Sequence, residues 1–107
     1  MSGDIKVSVM ICTYTEDRWQ DIVEAVDSLG KQTLIPDEII LVSDHNPKLF
    51  ARMQAAFPQV MVVENKFDKG LTGGLNTGFS VAKGEIIGIL DDDATADPEW
   101  VERLVRL

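Results

Sequence analysis

The chain has 107 residues, 45% of them hydrophobic and 26% charged, and a formal net charge of −8. That length predicts one domain with a single modest core, and the charge speaks against a nucleic-acid or anionic-membrane partner. No run approaches the roughly 20 apolar residues of a membrane span, and the opening Met1-Ser2-Gly3-Asp4 has neither the basic nor the apolar region of a signal peptide, so a cytoplasmic location is the default expectation.

Strands and helices alternate along the chain. "KVSVMICTY" (6–14) is apolar and β-branched and predicts a buried strand. Cys12, the single cysteine, lies within it and reads as an inert buried thiol. Asp17 is placed to cap the following helix with Gln20 as its capping-box partner. Ile22, Val23, Val26 and Leu29 fall on one face of that helix, which Gly30 would stop. "DEIILVS" (37–43) is the second strand, "KLFARMQAAF" (48–57) a short helix before Pro58, and "VMVVE" (60–64) the third strand. A glycine-rich loop then leads into a helix of about three turns, stopped by Gly84. "EIIGIL" (85–90) is the fourth strand. Asp97-Pro98-Glu99 predicts the start of a last helix, with Val101, Leu104, Val105 and Leu107 as its apolar positions.

Near-continuous apolar strands separated by helices imply a Rossmann-like three-layer α/β/α fold around a mostly parallel four-stranded sheet. Ligands in such sheets bind beyond the C-terminal strand ends, where strand order reverses. The polar residues of this chain gather at those ends.

Asp91, Asp92 and Asp93 follow the fourth strand directly. They suit either a divalent cation with hard oxygen ligands or a solvated turn, and their place at the ligand edge favours the cation. On an extended segment Asp91 and Asp93 point one way and Asp92 the other. Asp44 follows the second strand and is equally suited to accept hydrogen bonds from a ligand or to cap the helix near Pro47. Tyr14 is either a stacking surface for a base or a half-buried aromatic. His45 reads as a surface residue.

Gly70, Gly73, Gly74 and Gly78 match neither the dinucleotide fingerprint nor the NTPase phosphate loop. They still permit close backbone approach at a helix N-terminus, and Gly78 reads as helix-on-sheet packing. Trp19 and Trp100 read as packing residues.

Taken together, "VSVMICTYTEDRWQDIVEAVDSLGKQTLIPDEIILVSD" and "NKFDKGLTGGLNTGFSVAKGEIIGILDDDATADPEW" resemble the N-terminal half of family 2 inverting glycosyltransferases of the GT-A fold. The resemblance runs from about Lys6 to the chain end and rests on the strand-one ending, "SLGKQT", "PDEIILVSD", "GLNTG" and "GEIIGILDDDA" with its DxD motif. It implies a nucleotide-sugar donor, with a UDP-sugar favoured. By that resemblance Thr13 and Tyr14 line the nucleotide pocket, Glu16 contacts the nucleotide, Asp44 meets the base and Asp91 or Asp92 the ribose. Asp93, with Asp91, would hold Mg²⁺ or Mn²⁺ against the diphosphate.

Relatives often carry Ala-Arg-Asn where this chain has Gly74-Leu75-Asn76, which leaves Lys69 or Lys66 to supply a basic contact. Members of that family are much longer, and their catalytic base lies in the second half. Residues 1–107 are therefore expected to be a single nucleotide-sugar-binding domain without that base, and with an unknown acceptor. An apolar surface near the fourth strand would be left open, and a homodimer is expected there.

Three rivals remain. A sugar nucleotidyltransferase wants a basic glycine-rich loop after strand one, where this chain has Thr13-Tyr14-Thr15-Glu16-Asp17. A receiver domain wants a phosphorylated Asp after strand three, where this chain has Glu64-Asn65. A non-catalytic interaction module would not need to keep Asp44, Asp91 and Asp93.

Overall fold

The computed structural model describes residues 5–106. The Met1–Asp4 opening, and Leu107 of the predicted last helix, lie outside them. The elements are β1 (Val7–Thr13), a 3-10 turn (Glu16–Arg18), α1 (Trp19–Gly30), β2 (Glu38–Ser43) and α2 (Pro47–Ala56). They continue with β3 (Met61–Glu64), α3 (Leu71–Val81), β4 (Ile86–Ile89) and α4 (Trp100–Arg106). All four strands are parallel, in the order β3-β2-β1-β4. The Rossmann-like α/β/α architecture expected from the apolar runs is present.

Side-chain alternation along β1 divides the core between two faces. Val7, Val9 and Ile11 join Ile22, Ala25 and Leu29 of α1, Leu49 and Met53 of α2 and Val101 of α4. Met10 joins Ile40 and Val42 on the other face, under Leu75 and Val81 of α3. α1 and α2 share one face and α3 takes the other because the chain steps outward from β1 to β3 and then returns past β1 to β4, and α4, after β4, packs on the face of α1. Right-handed crossovers put outward- and inward-going helices on opposite faces. Each fully buried Leu, Ile or Met contributes about 1.5–3 kcal/mol.

The N-terminal end of the sheet is fastened by side chains. Ser8 Oγ donates to Glu38 Oε2 at 2.6 Å and accepts the Gly84 N–H at 2.8 Å, while Glu38 Oε2 also accepts the Lys83 N–H at 2.6 Å. The starts of β1, β2 and β4 are thereby linked. Gly84 does not stop α3: the helix ends at Val81, with Ala82 extended. Glycine is needed at position 84 because a Cβ there would lie 2.6 Å from the Ser8 nitrogen.

Two helix starts differ from expectation. Thr15, not Asp17, supplies the first cap: it accepts the Asp17 N–H, and a 3-10 turn precedes α1. Gln20 pairs with Glu24 instead of closing a capping box. At the last helix, Asp97 Oδ1 accepts the Glu99 N–H and Asp97 O the Trp100 N–H, so a turn occupies Pro98-Glu99 and α4 begins at Trp100. Trp19 and Trp100 pack against the core as predicted. No helix among the described residues is long and apolar enough to cross a membrane.

Candidate functional site

Strand order reverses between β1 and β4, and their C-terminal ends part there. The crevice they leave is about 560 Å³. Cys12, Thr13 and Tyr14 line it from β1, Arg18 from the 3-10 turn, and Asp44 from the end of β2. Lys69, Gly70 and Leu71 line it from the start of α3, and Ile89 through Asp93 from the end of β4. This is the ligand position of an open parallel sheet.

Thr13 is buried, and its Oγ1 has no hydrogen-bond partner among the described residues. Tyr14 is 54% exposed at the crevice rim, with the Arg18 guanidinium 5.6 Å from its ring centroid. Glu16 is not in the lining; its Oε1 lies 3.5 Å from Arg52, which stacks on Trp19 at 3.9 Å.

Asp44 is buried and does not cap α2. Asn46 does so, accepting the Leu49 N–H at 3.0 Å. Asp44 instead accepts from Asn65 Nδ2 at 2.8 Å and from the Gly70 N–H at 2.9 Å. The glycine-rich segment is thus pinned to the end of β2. Asn65 extends the network: it donates to Asp68 O and accepts from the Phe67 N–H and Thr77 Oγ1. Gly70 adopts φ +127°, a conformation that favours glycine. A Cβ on Gly78 would meet Met10 Sδ at 2.4 Å, so this glycine packs helix on sheet as predicted. His45 is exposed, with Nε2 2.8 Å from Phe67 O.

The three aspartates do not form the extended segment expected: Asp92 and Asp93 lie in a turn closed by the Ala94 N–H, which donates to Asp91 O at 3.1 Å. Asp91 and Asp93 are exposed, whereas Asp92 is buried. Asp92 Oδ1 accepts from Arg18 Nη1 at 2.7 Å, and its Oδ2 has no partner among the described residues. The bond to Asp92 holds Arg18 further above its already high range. Arg18 was not identified from sequence. The signal was a lone basic residue among the acids after β1, but its partner lies 74 residues away. Of the two lysines considered, Lys69 lines the crevice and Lys66 does not. Burial, then the charges of Asp44 and Asp92, push the Cys12 thiol from 9.0 to about 11. Cys12 is half-buried in the crevice wall and not fully buried as expected, and its raised value agrees with an inert thiol.

The crevice fits a divalent cation in one respect and limits it in another. Asp91 and Asp93 offer hard oxygens with no hydrogen bond or ion pair among the described residues. No group of three His, Cys, Asp or Glu among the described residues is gathered to hold a metal ion. The protein would therefore supply part of a coordination sphere and leave the rest to a ligand or water.

The family model described as "Glycosyl transferase family 2" matches residues 8–107. A glucosyl-dolichyl phosphate glucuronosyltransferase of Haloferax volcanii is 36% identical over 104 residues, covering 94% of this chain and 33% of the relative. The chain spans about a third of the length of the curated relatives it matches. Among solved structures, S. aureus TarS 1-349 in complex with UDP-GlcNAc is similar at a TM-score of 0.73 and 22% identity, covering 95% of this chain and 30% of that one. The mannosyltransferase PcManGT from Pyrobaculum calidifontis, in complex with GDP-Man and Mn²⁺, is similar at a TM-score of 0.65 and 28% identity, covering 85% and 28%.

Proposed function

The chain belongs to glycosyl transferase family 2, and on that premise we propose that its crevice binds the nucleoside diphosphate of a sugar donor for transfer to an acceptor hydroxyl. The observation that carries this reading is one of placement. Two unpartnered carboxylates, Lys69 and the first residues of α3 line a single crevice at the switch point of a parallel sheet.

In this reading Tyr14, exposed at the rim, offers a face for the base. Asp44 keeps acceptor lone pairs beyond the two it uses on Asn65 and Gly70. The N–H groups of the first turn of α3 lack intrahelical acceptors and, with Lys69, attract the diphosphate. Asp93 and Asp91 would hold Mg²⁺ or Mn²⁺. Once bound, the cation would offset the charge that develops on the departing nucleoside diphosphate. No catalytic base is assigned, because Asp44 and Asp92 are engaged with protein partners and Asp91 and Asp93 with the cation. No role is assigned to Glu16, which pairs with Arg52.

A UDP-sugar is favoured by the sequence resemblance. One of the solved neighbours was bound to UDP-GlcNAc and the other to GDP-Man with Mn²⁺, so the base is tested directly. Calorimetric titration of UDP and of GDP, with Mn²⁺ and then with EDTA, is run beside Asp93→Ala. Heat that requires Mn²⁺ and is lost in the variant supports a donor site. Its absence for both nucleotides removes this reading in favour of a non-catalytic module.

A further inference from the structure

We propose that Arg18 is a counter-charge that keeps Asp92 out of the cation's ligand set, so that the crevice holds a divalent cation tightly only together with a diphosphate. This rests on the donor-site reading above.

Carboxylate oxygens suit a hard divalent cation, and each carboxylate free to face it strengthens the hold. No group of three such ligands is gathered among the described residues. Asp92 is engaged with another partner. Its carboxylate lines the crevice, is 5% exposed, and is bound by Arg18 at 2.7 Å. One oxygen, Oδ2, is buried with no partner among the described residues. Burying a carboxylate is costly unless a counter-charge accompanies it, so Arg18 fixes the inward position of Asp92. Thr15 caps the 3-10 turn that ends at Arg18, and the guanidinium lies beside the Tyr14 ring. Arg18 therefore offsets one of three negative charges and occupies Oδ1 of Asp92.

Asp91 and Asp93 remain. Two carboxylates would leave most of a divalent cation's coordination to water or to the oxygens of a diphosphate. Cation and nucleotide then raise each other's affinity by the same factor. Arg18 is a positioning residue acting through Asp92.

The test measures Mn²⁺ binding to the 107-residue chain from the spin-resonance signal of free Mn²⁺, with and without UDP. Arg18→Gln is expected to bind Mn²⁺ without UDP about fivefold or more tighter than wild type, at the low end of ordinary coupling between sites. The enhancement by UDP should fall by the same factor. Arg18→Lys keeps the charge and should stay near wild type, as should Arg18→Gln combined with Asp92→Asn. A purely structural ion pair would lower the melting temperature without tightening Mn²⁺ binding. Unchanged or weaker Mn²⁺ binding in folded Arg18→Gln, with wild type still coupled to UDP, overturns the inference. If Arg18→Gln does not fold, Asp92→Asn carries the test. Its uncancelled guanidinium should weaken Mn²⁺ binding, and equal binding overturns the inference. Independent binding of Mn²⁺ and UDP to wild type overturns the donor-site reading and this inference with it.

Discussion

Asp44 and Asn65, 21 residues apart in the chain, meet in a buried hydrogen bond of 2.8 Å. The same carboxylate also takes the Gly70 N–H at 2.9 Å. One side chain at the end of β2 thus fixes both ends of the segment that enters α3. Asp44→Ala takes one acceptor from the buried Asn65 amide, which keeps Asp68 O, and the acceptor of the half-buried Gly70 N–H. We expect a loss of about 1–3 kcal/mol in urea unfolding, with weaker nucleotide binding. Asp44→Asn keeps one acceptor oxygen and should cost less. Equal stability of all three proteins would contradict this account of the loop.

Gly73 and Gly78 should respond differently to a methyl group. At Gly73 a Cβ would lie 2.1 Å from the Asp68 carbonyl oxygen, a backbone atom. At Gly78 it would meet the end of the Met10 side chain, which can adopt another rotamer. Gly78→Ala is expected to cost about 1–3 kcal/mol by overpacking. Gly73→Ala should cost more and displace the loop, which is read as a larger fall in melting temperature and lost nucleotide binding.

Lys69 lines the crevice at the start of α3. In the donor-site reading, Lys69→Ala should weaken UDP binding by roughly tenfold, the scale of a hydrogen bond to a charged group. The deficit should shrink as salt rises, because exposed charges are screened. Uridine, which has no phosphate, should bind both proteins alike. Titrations at two ionic strengths check this.

Cys12 should resist alkylation at neutral pH, since its thiol ionises only near about 11. Its folded-state value lies above its ordinary value of 9.0. The folded protein therefore keeps a proton that the unfolded chain releases, and stability from this group falls as pH rises from about 9 through about 11. Cys12→Ser should flatten that part of the stability profile. Unfolding curves of both proteins across this range decide the matter.

Ile89 is 45% exposed on β4, at the edge of the sheet. It shares a face with Met10, its partner in register, and on that face α3 packs mainly on β1 and β2. Concentration-dependent association through this surface is expected, and Ile89→Lys should reduce it. Sedimentation velocity that shows only monomer at high concentration would count against it.

The sheet was legible because its strands are short apolar runs with turn residues between them. The crevice lies at the switch point that topology indicated, but the exposed–buried–exposed order of Asp91, Asp92 and Asp93 arises in a turn and not in the extended segment expected. What stayed hidden was pairing across long sequence distance. Arg18 sits among acids, and nothing local distinguishes it from a solvated charge until β4 brings Asp92 alongside. Asp44 had two plausible partners, and the actual ones, Asn65 and Gly70, lie beyond another helix and strand. At the first helix, Thr15 and Asp17 are both good caps, and the extended backbone of Thr15 decided between them. Gly84 resembled a helix stop, but the close approach of the Ser8 backbone is what requires glycine there.

The fastening of Ser8, Glu38, Lys83 and Gly84 lies at the end of the sheet opposite the crevice. None of these four residues lines the crevice. Selection, natural or in the laboratory, can therefore act on the fastened end without touching the crevice. Changes at the fastened end would alter how long the protein survives heat or proteolysis. A variant library confined to the fastened end should leave ligand binding untouched, whereas at the open end a residue such as Asp44 serves the crevice and the fold together.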